Sequence, residues 1–264
     1  MWARIHKYQN HLKNKHTRQR LEPDYTGLGN IASTIRDHGY AVLSPNDVIS
    51  LINTPPQEIQ NVTYSWDDLV IDEYLKDGGK YRQRRHASIQ ITRNQIETVP
   101  HRAHWQPTTY NALHGGMHRW FKPIKPNVLR SNVLNNLLIW LADFATQLDE
   151  VSTWFSEVHQ FRIDTSDGIG RPTPEGAHRD GVDWVAVLLI RRHQIKGGET
   201  RVFEVDTPNG QRFTLNQPWS LLMLNDRRVI HETTPIQPTS EKGWRDTLVI
   251  TLKADSFLDE AGAS

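Results

Sequence analysis

Four polar residues in the last third of the chain form an ordered set that a packed β-structure has no mechanical need of, and three of them have the types to hold an ion. His178-Arg179-Asp180 leads into the apolar run Trp184 to Ile190, and His231 follows a second apolar run, Trp219 to Leu224. In extended backbone successive side chains alternate faces, so His178 and Asp180 would project together and could share one ion. Two imidazoles and a carboxylate are the ligand set of a non-haem iron site that keeps one face open. Arg245 opens the strand-like run Arg245 to Leu252, and Thr247 falls on the same strand face. An arginine fork suits a carboxylate, and a threonine hydroxyl can donate beside it. Singly these pieces are ordinary, since His-x-Asp pairs are common and a strand arginine usually meets solvent. Their order and spacing together carry the reading.

The elements that must position these residues are mostly short strands. Glu157 to Ile163 alternates, with Gln160 and Arg162 on one face and His159, Phe161 and Ile163 on the other. A Gly- and Pro-containing stretch, Thr165 to Gly176, delivers the chain to His178, and Gly197-Gly198 and Pro208-Asn209-Gly210 mark tight turns. About six short strands with tight turns imply an all-β sandwich or barrel, and cupin-like jelly rolls are the members that hold metal in their mouths. Before them, Ile31 to His38 reads as a helix stopped by Gly39, then a strand at Tyr40 to Leu43. Ser44-Pro45-Asn46-Asp47 reads as a capped start of a helix that ends before Pro55-Pro56. Asn127 to Leu148 reads as one long helix whose stripe, Leu129, Val133, Leu137, Leu141, Phe144 and Leu148, fits it to lie across a sheet.

Two stretches leave alternatives open. After the Gly78-Gly79 turn, Lys80, Arg82 and Arg84 share one face and Tyr81, Gln83 and Arg85 the other. So many donors mark either an edge defended by charge or a pocket wall that receives an anion. Ile89 to Pro126 reads as loop, and its His101, His104, His114 and His118 are expected at the surface or a pocket rim, with His101 to Trp120 a candidate lid.

Composition narrows the class. The 264 residues suit one domain with elaborations. Lys plus Arg (31) nearly balances Asp plus Glu (30), so no global field recruits nucleic acid or an anionic membrane. The absence of cysteine excludes disulfides and thiolate chemistry. No apolar run approaches a membrane span, and cytoplasmic residence is the expectation. Residues 1–20 form a basic arm with Trp2, Ile5, Tyr8 and Leu12 at helical spacing.

The order His-x-Asp, a long gap, His, then Arg-x-Thr resembles the iron(II)/2-oxoglutarate-dependent dioxygenases. Within them, Asp77-Gly78-Gly79-Lys80 with Arg82-Gln83, His159-Gln160-x-Arg162, Gly197-Gly198 and His231-x-x-Thr234-Pro235 resemble the bacterial amino-acid hydroxylases that include L-isoleucine 4-hydroxylase. The resemblance implies a mainly β fold, a double-stranded β-helix or jelly roll with N-terminal helices and one scaffold helix on the major sheet. It implies one domain over 1–264, with a basic extension (1–25), a helical, lid-bearing part (30–150) and a metal-binding core (151–255). His178, Asp180 and His231 would bind Fe(II); Arg245, Thr247 and Gln160 would serve the co-substrate 2-oxoglutarate, with O2 as oxidant. Arg82, Gln83, Arg162 and Asp183 would meet a small substrate, an amino acid, with Glu157 as an alternative acid. A homodimer stays open. Two other readings are kept: a protein or peptide hydroxylase or demethylase of the same chemistry, and a cupin-like metal or ligand binder without catalysis, which would have no need of Arg245.

Overall fold

A computed structural model describes residues 22–259 apart from Asn94, Ala112 and Pro208. The basic arm and Pro208 of the hairpin turn therefore lie outside the described residues. The strands, in chain order, are β1 (Tyr40–Leu43), β2 (Val70–Ile71), β3 (Arg82–Thr92), β4 (Gln95–Thr98), β5 (Thr153–Asp164), β6 (Trp184–His193), β7 (Ile195–Gly197), β8 (Thr200–Glu204), β9 (Gly210–Phe213), β10 (Leu221–Asn225), β11 (Val229–Thr233), β12 (Ile236–Pro238) and β13 (Trp244–Lys253). An eight-stranded sheet runs β1-β10-β6-β13-β5-β3-β2, with β4 also on β3. A smaller sheet runs β11-β8-β9, and β12 pairs with β7. Every ladder is antiparallel, and the mainly β, jelly-roll architecture follows.

The apolar run on β6 is continuous because both faces of the large sheet are covered there. Ala186, Leu188 and Ile190 pack into the helical layer, while Val185 and Leu189 pack toward the small sheet with Val202, Phe213 and Val229. A strand buried on both faces loses polar alternation. On β13 the alternation survives: Leu248, Ile250 and Leu252 join the helical core, whereas Arg245, Thr247, Val249 and Thr251 face a cleft on the other side.

The helices carry their stop signals as read from the chain. Helix α1 (Ile31–His38) ends at Gly39, whose left-handed φ of 77° lets its N–H reach Ile35 O. Helix α2 (Pro45–Ile52) starts with Ser44 Oγ accepting from Asp47 N at 3.3 Å and donating to Asp47 Oδ2 at 2.7 Å. A further helix, α3 (Pro56–Tyr64), follows the prolines. The long helix differs from expectation: Pro126–Leu129 forms a short α4, and α5 spans Asn132–Asp149. Ser131 makes the break, because its Oγ caps Leu134 N at 3.2 Å and so begins a new helix. Leu137, Leu138 and Leu141 of α5 are buried against the sheet, each contributing about 2 kcal/mol before entropy.

The segment from Ile89 is also more ordered than read. Ile89 and Ile91 are core residues of β3, and β3 turns into β4 before the long loop begins. Among the described residues no helix is long and apolar enough to cross a membrane.

Candidate active site

Register assembles the cleft. Strands β3, β5 and β13 are neighbours, and their alternate residues fall into rows: Arg82, Ile163 and Arg245; Arg84, Phe161 and Thr247; His86, His159 and Val249; Ser88, Glu157 and Thr251. Of the two meanings open for the Lys80-to-Arg85 alternation, the wall of a cleft is the one observed for Arg82 and Arg84. The cleft holds about 920 Å³ of empty space, its open mouth included.

At one side of it the three expected ligands meet. His178 and His231 are opposite each other, exchanging backbone hydrogen bonds of 3.0 and 2.9 Å. His178 belongs to an isolated bridge and not to a strand, since the chain turns at Gly181 (φ 84°). Asp180 lies between the imidazoles: Oδ1 is 3.7 Å from His178 Nε2 and Oδ2 is 3.7 Å from His231 Nε2. His178 Nδ1 donates to Gly176 O at 3.0 Å, which leaves the Nε2 lone pair for an ion. His231 Nδ1 is buried without a partner. Around a first-row ion with bonds of about 2.1 Å, such ligand atoms would close by less than about an ångström. The field also asks for a cation. Burial alone would lower His178, yet Glu175 and Asp180 outweigh it and push the imidazole up to about 10. Asp180, despite burial, is drawn down to about 2, chiefly by His178. Burial and then His178 hold His231 at about 4.

Two residues passed over in the sequence position Asp180. The carboxylate of Asp226, fully buried, accepts the backbone N–H groups of Asp180 (3.0 Å), Gly181 (2.8 Å) and Val182 (3.2 Å). Burial and the nearby Asp180 raise it to about 6. Gln106, from the loop, donates to Asp180 Oδ1 at 3.3 Å while its own carbonyl accepts from Asn111 and Arg119, each at 3.1 Å. No spacing in the sequence marks either residue, because each meets Asp180 only through the fold.

Arg245 lies in the same cleft, 3% exposed, with Nε and NH2 buried and unpartnered. Burial, then Arg192, lowers its guanidinium to about 9. A buried guanidinium with idle N–H groups fits a bidentate carboxylate, and Thr247 beside it also lines the cleft. Thus the donor set suits both the ion and the distal end of 2-oxoglutarate.

The residues expected to meet the substrate, and Gln160 expected to serve 2-oxoglutarate, divide. Arg82 lines the cleft; its Nε donates to Asp72 at 2.7 Å and its NH2 is buried without a partner. Gln83, Gln160, Arg162 and Asp183 do not line it. Gln83 donates to Asp164, Gln160 to Ser65 Oγ, and Arg162 to Asp246 and Asp67, all from the other strand face. Asp183 accepts from Ala254 N. Alternation already separated Gln160 and Arg162 from Ile163; register shows that the cleft belongs to Ile163's side.

The histidine reading needs correction. His101 and His118 are exposed, but His104 and His114 are buried. His86, His104, Glu157 and His159 bring ligand-type atoms within 4.8 Å of one another. Their spacing is that of hydrogen bonding: His104 Nδ1 lies 2.7 Å from Glu157 Oε2, closer than two ligands on one ion would stand. Arg84, stacked 3.6 Å from the Phe121 ring centre, places NH2 2.6 Å from His159 Nδ1. Arginine is a pure donor, so the His159 proton sits on Nε2. Glu157 is buried, which would raise it, but His104 and His86 hold it below the usual carboxylate range.

A jelly roll whose mouth gathers two histidines, an aspartate and a buried arginine defines a metal- and oxo-acid-dependent oxygenase. The family described as 2OG-Fe dioxygenase matches residues 63–251, and the chain belongs to that family. It is an enzyme of the 2-oxoglutarate-dependent dioxygenase class, using Fe(II), 2-oxoglutarate and O2. The chain is 46% identical to a bsmA homologue from Methylobium petroleophilum PM1, over 89% of this chain and 96% of that one, with a TM-score of 0.84. Its fold is also similar to IDO from Bacillus thuringiensis (16% identity, 87% and 100% covered, TM-score 0.72) and to the Fe(II)/α-ketoglutarate-dependent dioxygenase TqaL (14%, 87% and 90%, 0.67). Comparison with curated proteins gives no significant match.

Proposed function

We propose that the protein hydroxylates an unactivated C–H bond of a free L-amino acid or a close derivative, with 2-oxoglutarate converted to succinate and CO2. The observation that carries the reading is a buried cation in the cleft besides the Arg245 anchor, Arg82, with an idle NH2. Iron, 2-oxoglutarate and O2 together supply the oxidant. The chain's share is placement. His178, Asp180 and His231 would hold the ion and leave a face open; Arg245 and Thr247 would grip the distal carboxylate; Arg82 would take the substrate carboxylate. Val182, Val187, Phe161 and Val249 line the cleft and exclude water from the reacting carbon. The ferrous centre suits a reducing compartment, the cytoplasm.

A peptide or protein substrate would call for an open basic groove, whereas Arg82, Arg84 and Arg119 are each under 10% exposed. The test is succinate formation by purified protein with Fe(II), 2-oxoglutarate and a panel of L-amino acids and derivatives. Turnover that depends on one of them is expected; none across the panel would overturn the small-molecule reading.

A further inference from the structure

Glu175 belongs to the segment between β5 and His178 and has no part in the three-ligand group. Its side chain is 13% exposed and lines the cleft; Oε1 is 3.7 Å from His178 Nε2, and Oε2 is buried with no partner. Arg119, 2% exposed, donates NH2 to Gln106, but its Nε is buried and idle. Burial and the neighbouring Arg82 lower Arg119 to about 10, while the charge of Glu175 is among those that act to raise it. An acceptor and a donor of opposite charge therefore lie near each other in one cleft, each with an atom unused. Buried polar atoms left unpaired are costly, more so when charged, and a ligand that satisfies both recovers that cost.

We propose that Glu175 and Arg119 read the two ends of one small zwitterion, Glu175 taking a primary ammonium and Arg119, beside Arg82, the carboxylate. This rests on the amino-acid reading above and supplies the acid it lacked, since Asp183 is engaged outside the cleft and Glu157 is held by His104. A carboxylate only accepts, and an ammonium offers three N–H donors. A 2-hydroxy acid would supply a single donor and no charge, an N-acetyl derivative no charge, and an amide no anion for Arg119.

Binding separates this from the reading on which it rests. Isothermal titration of the protein loaded with Zn(II) and 2-oxoglutarate, which cannot turn over, would compare the best L-amino acid of the panel with its 2-hydroxy acid, N-acetyl and amide analogues. The free amino acid should bind at least tenfold more tightly than each analogue. Glu175→Gln should weaken it 10- to 100-fold, leaving Zn(II) and 2-oxoglutarate affinities within about twofold. Equal binding of the 2-hydroxy acid, or unchanged amino-acid binding by Glu175→Gln, overturns this assignment while amino-acid turnover leaves the wider reading standing. Loss of Zn(II) in parallel would make Glu175 a metal-side residue instead and equally overturn it. Silence of the whole panel in binding and turnover overturns both. The analogue series uses the unaltered protein, so it decides the matter even where a variant fails to fold.

Discussion

Replacing Arg245 with methionine should weaken 2-oxoglutarate binding and, in the ligand-free protein, raise stability. The guanidinium is 3% exposed, and burial lowers it from the ordinary arginine range to about 9. That shift corresponds to on the order of 5 kcal/mol of disfavour for the charged form, an upper bound because the folded protein relaxes around a charge. Methionine conserves most of the apolar contact and removes the isolated charge, so a gain of about 1–3 kcal/mol is expected. For a chain of this size that is a rise of about 2–4 °C in Tm for each kcal/mol. The loss on the other side is a charge-assisted bidentate contact, about 2–5 kcal/mol, or roughly 30- to several-thousand-fold in 2-oxoglutarate affinity. Thermal unfolding with and without 2-oxoglutarate in the presence of Zn(II) reads both. The unaltered protein should be stabilised by the ligand and Arg245→Met should not. A variant less stable than its parent, yet still stabilised by 2-oxoglutarate, would refute the reasoning and make Arg245 a structural residue.

The remaining predictions concern the support of the site. Gln106→Leu removes the donor to Asp180 Oδ1 and should lower Fe(II) affinity about 10- to 100-fold, read by competition with a chelator, while Tm changes little. Gly181→Ala should be severely destabilising or lose metal, because φ is +84° and a Cβ would lie 2.4 Å from the Tyr110 ring; near-parental metal binding and Tm would show that loop to be adaptable. Burial holds His104 at about 4 against an ordinary 6.5, so between these values the unfolded chain binds protons that the folded one refuses. Stability should therefore fall as pH drops from 6.5 towards 4, by on the order of 3 kcal/mol from His104 alone, with His86 and His159 acting in the same direction. Asp226, raised to about 6, opposes this over part of the same window, so chemical denaturation from pH 7.5 to 4 is compared between the parent and His104→Gln, and an unchanged pH dependence in the variant would contradict a buried, neutral His104.

The chain itself determined the candidates for the metal ligands and for the arginine anchor, because His178 and Asp180 are neighbours in sequence and Arg245 and Thr247 share a strand face by period alone. It also determined the caps at Ser44 and Gly39, which are local hydrogen-bond arrangements. Tertiary structure decided everything that depends on which strands lie side by side. Gln83, Gln160 and Arg162 look as suitable for a ligand as Arg82 does, but pairing of β3, β5 and β13 turns them to the opposite face, where nearby side chains take up their hydrogen bonds. Glu175, Gln106, Arg119 and Asp226 are separated from Asp180 by 5 to 74 residues and carry no spacing signal. Their place follows from the loop folding over the sheet and from a burial that leaves some charges satisfied and others idle. A strand's period tells which residues share a face; only the neighbouring strands tell what that face looks at.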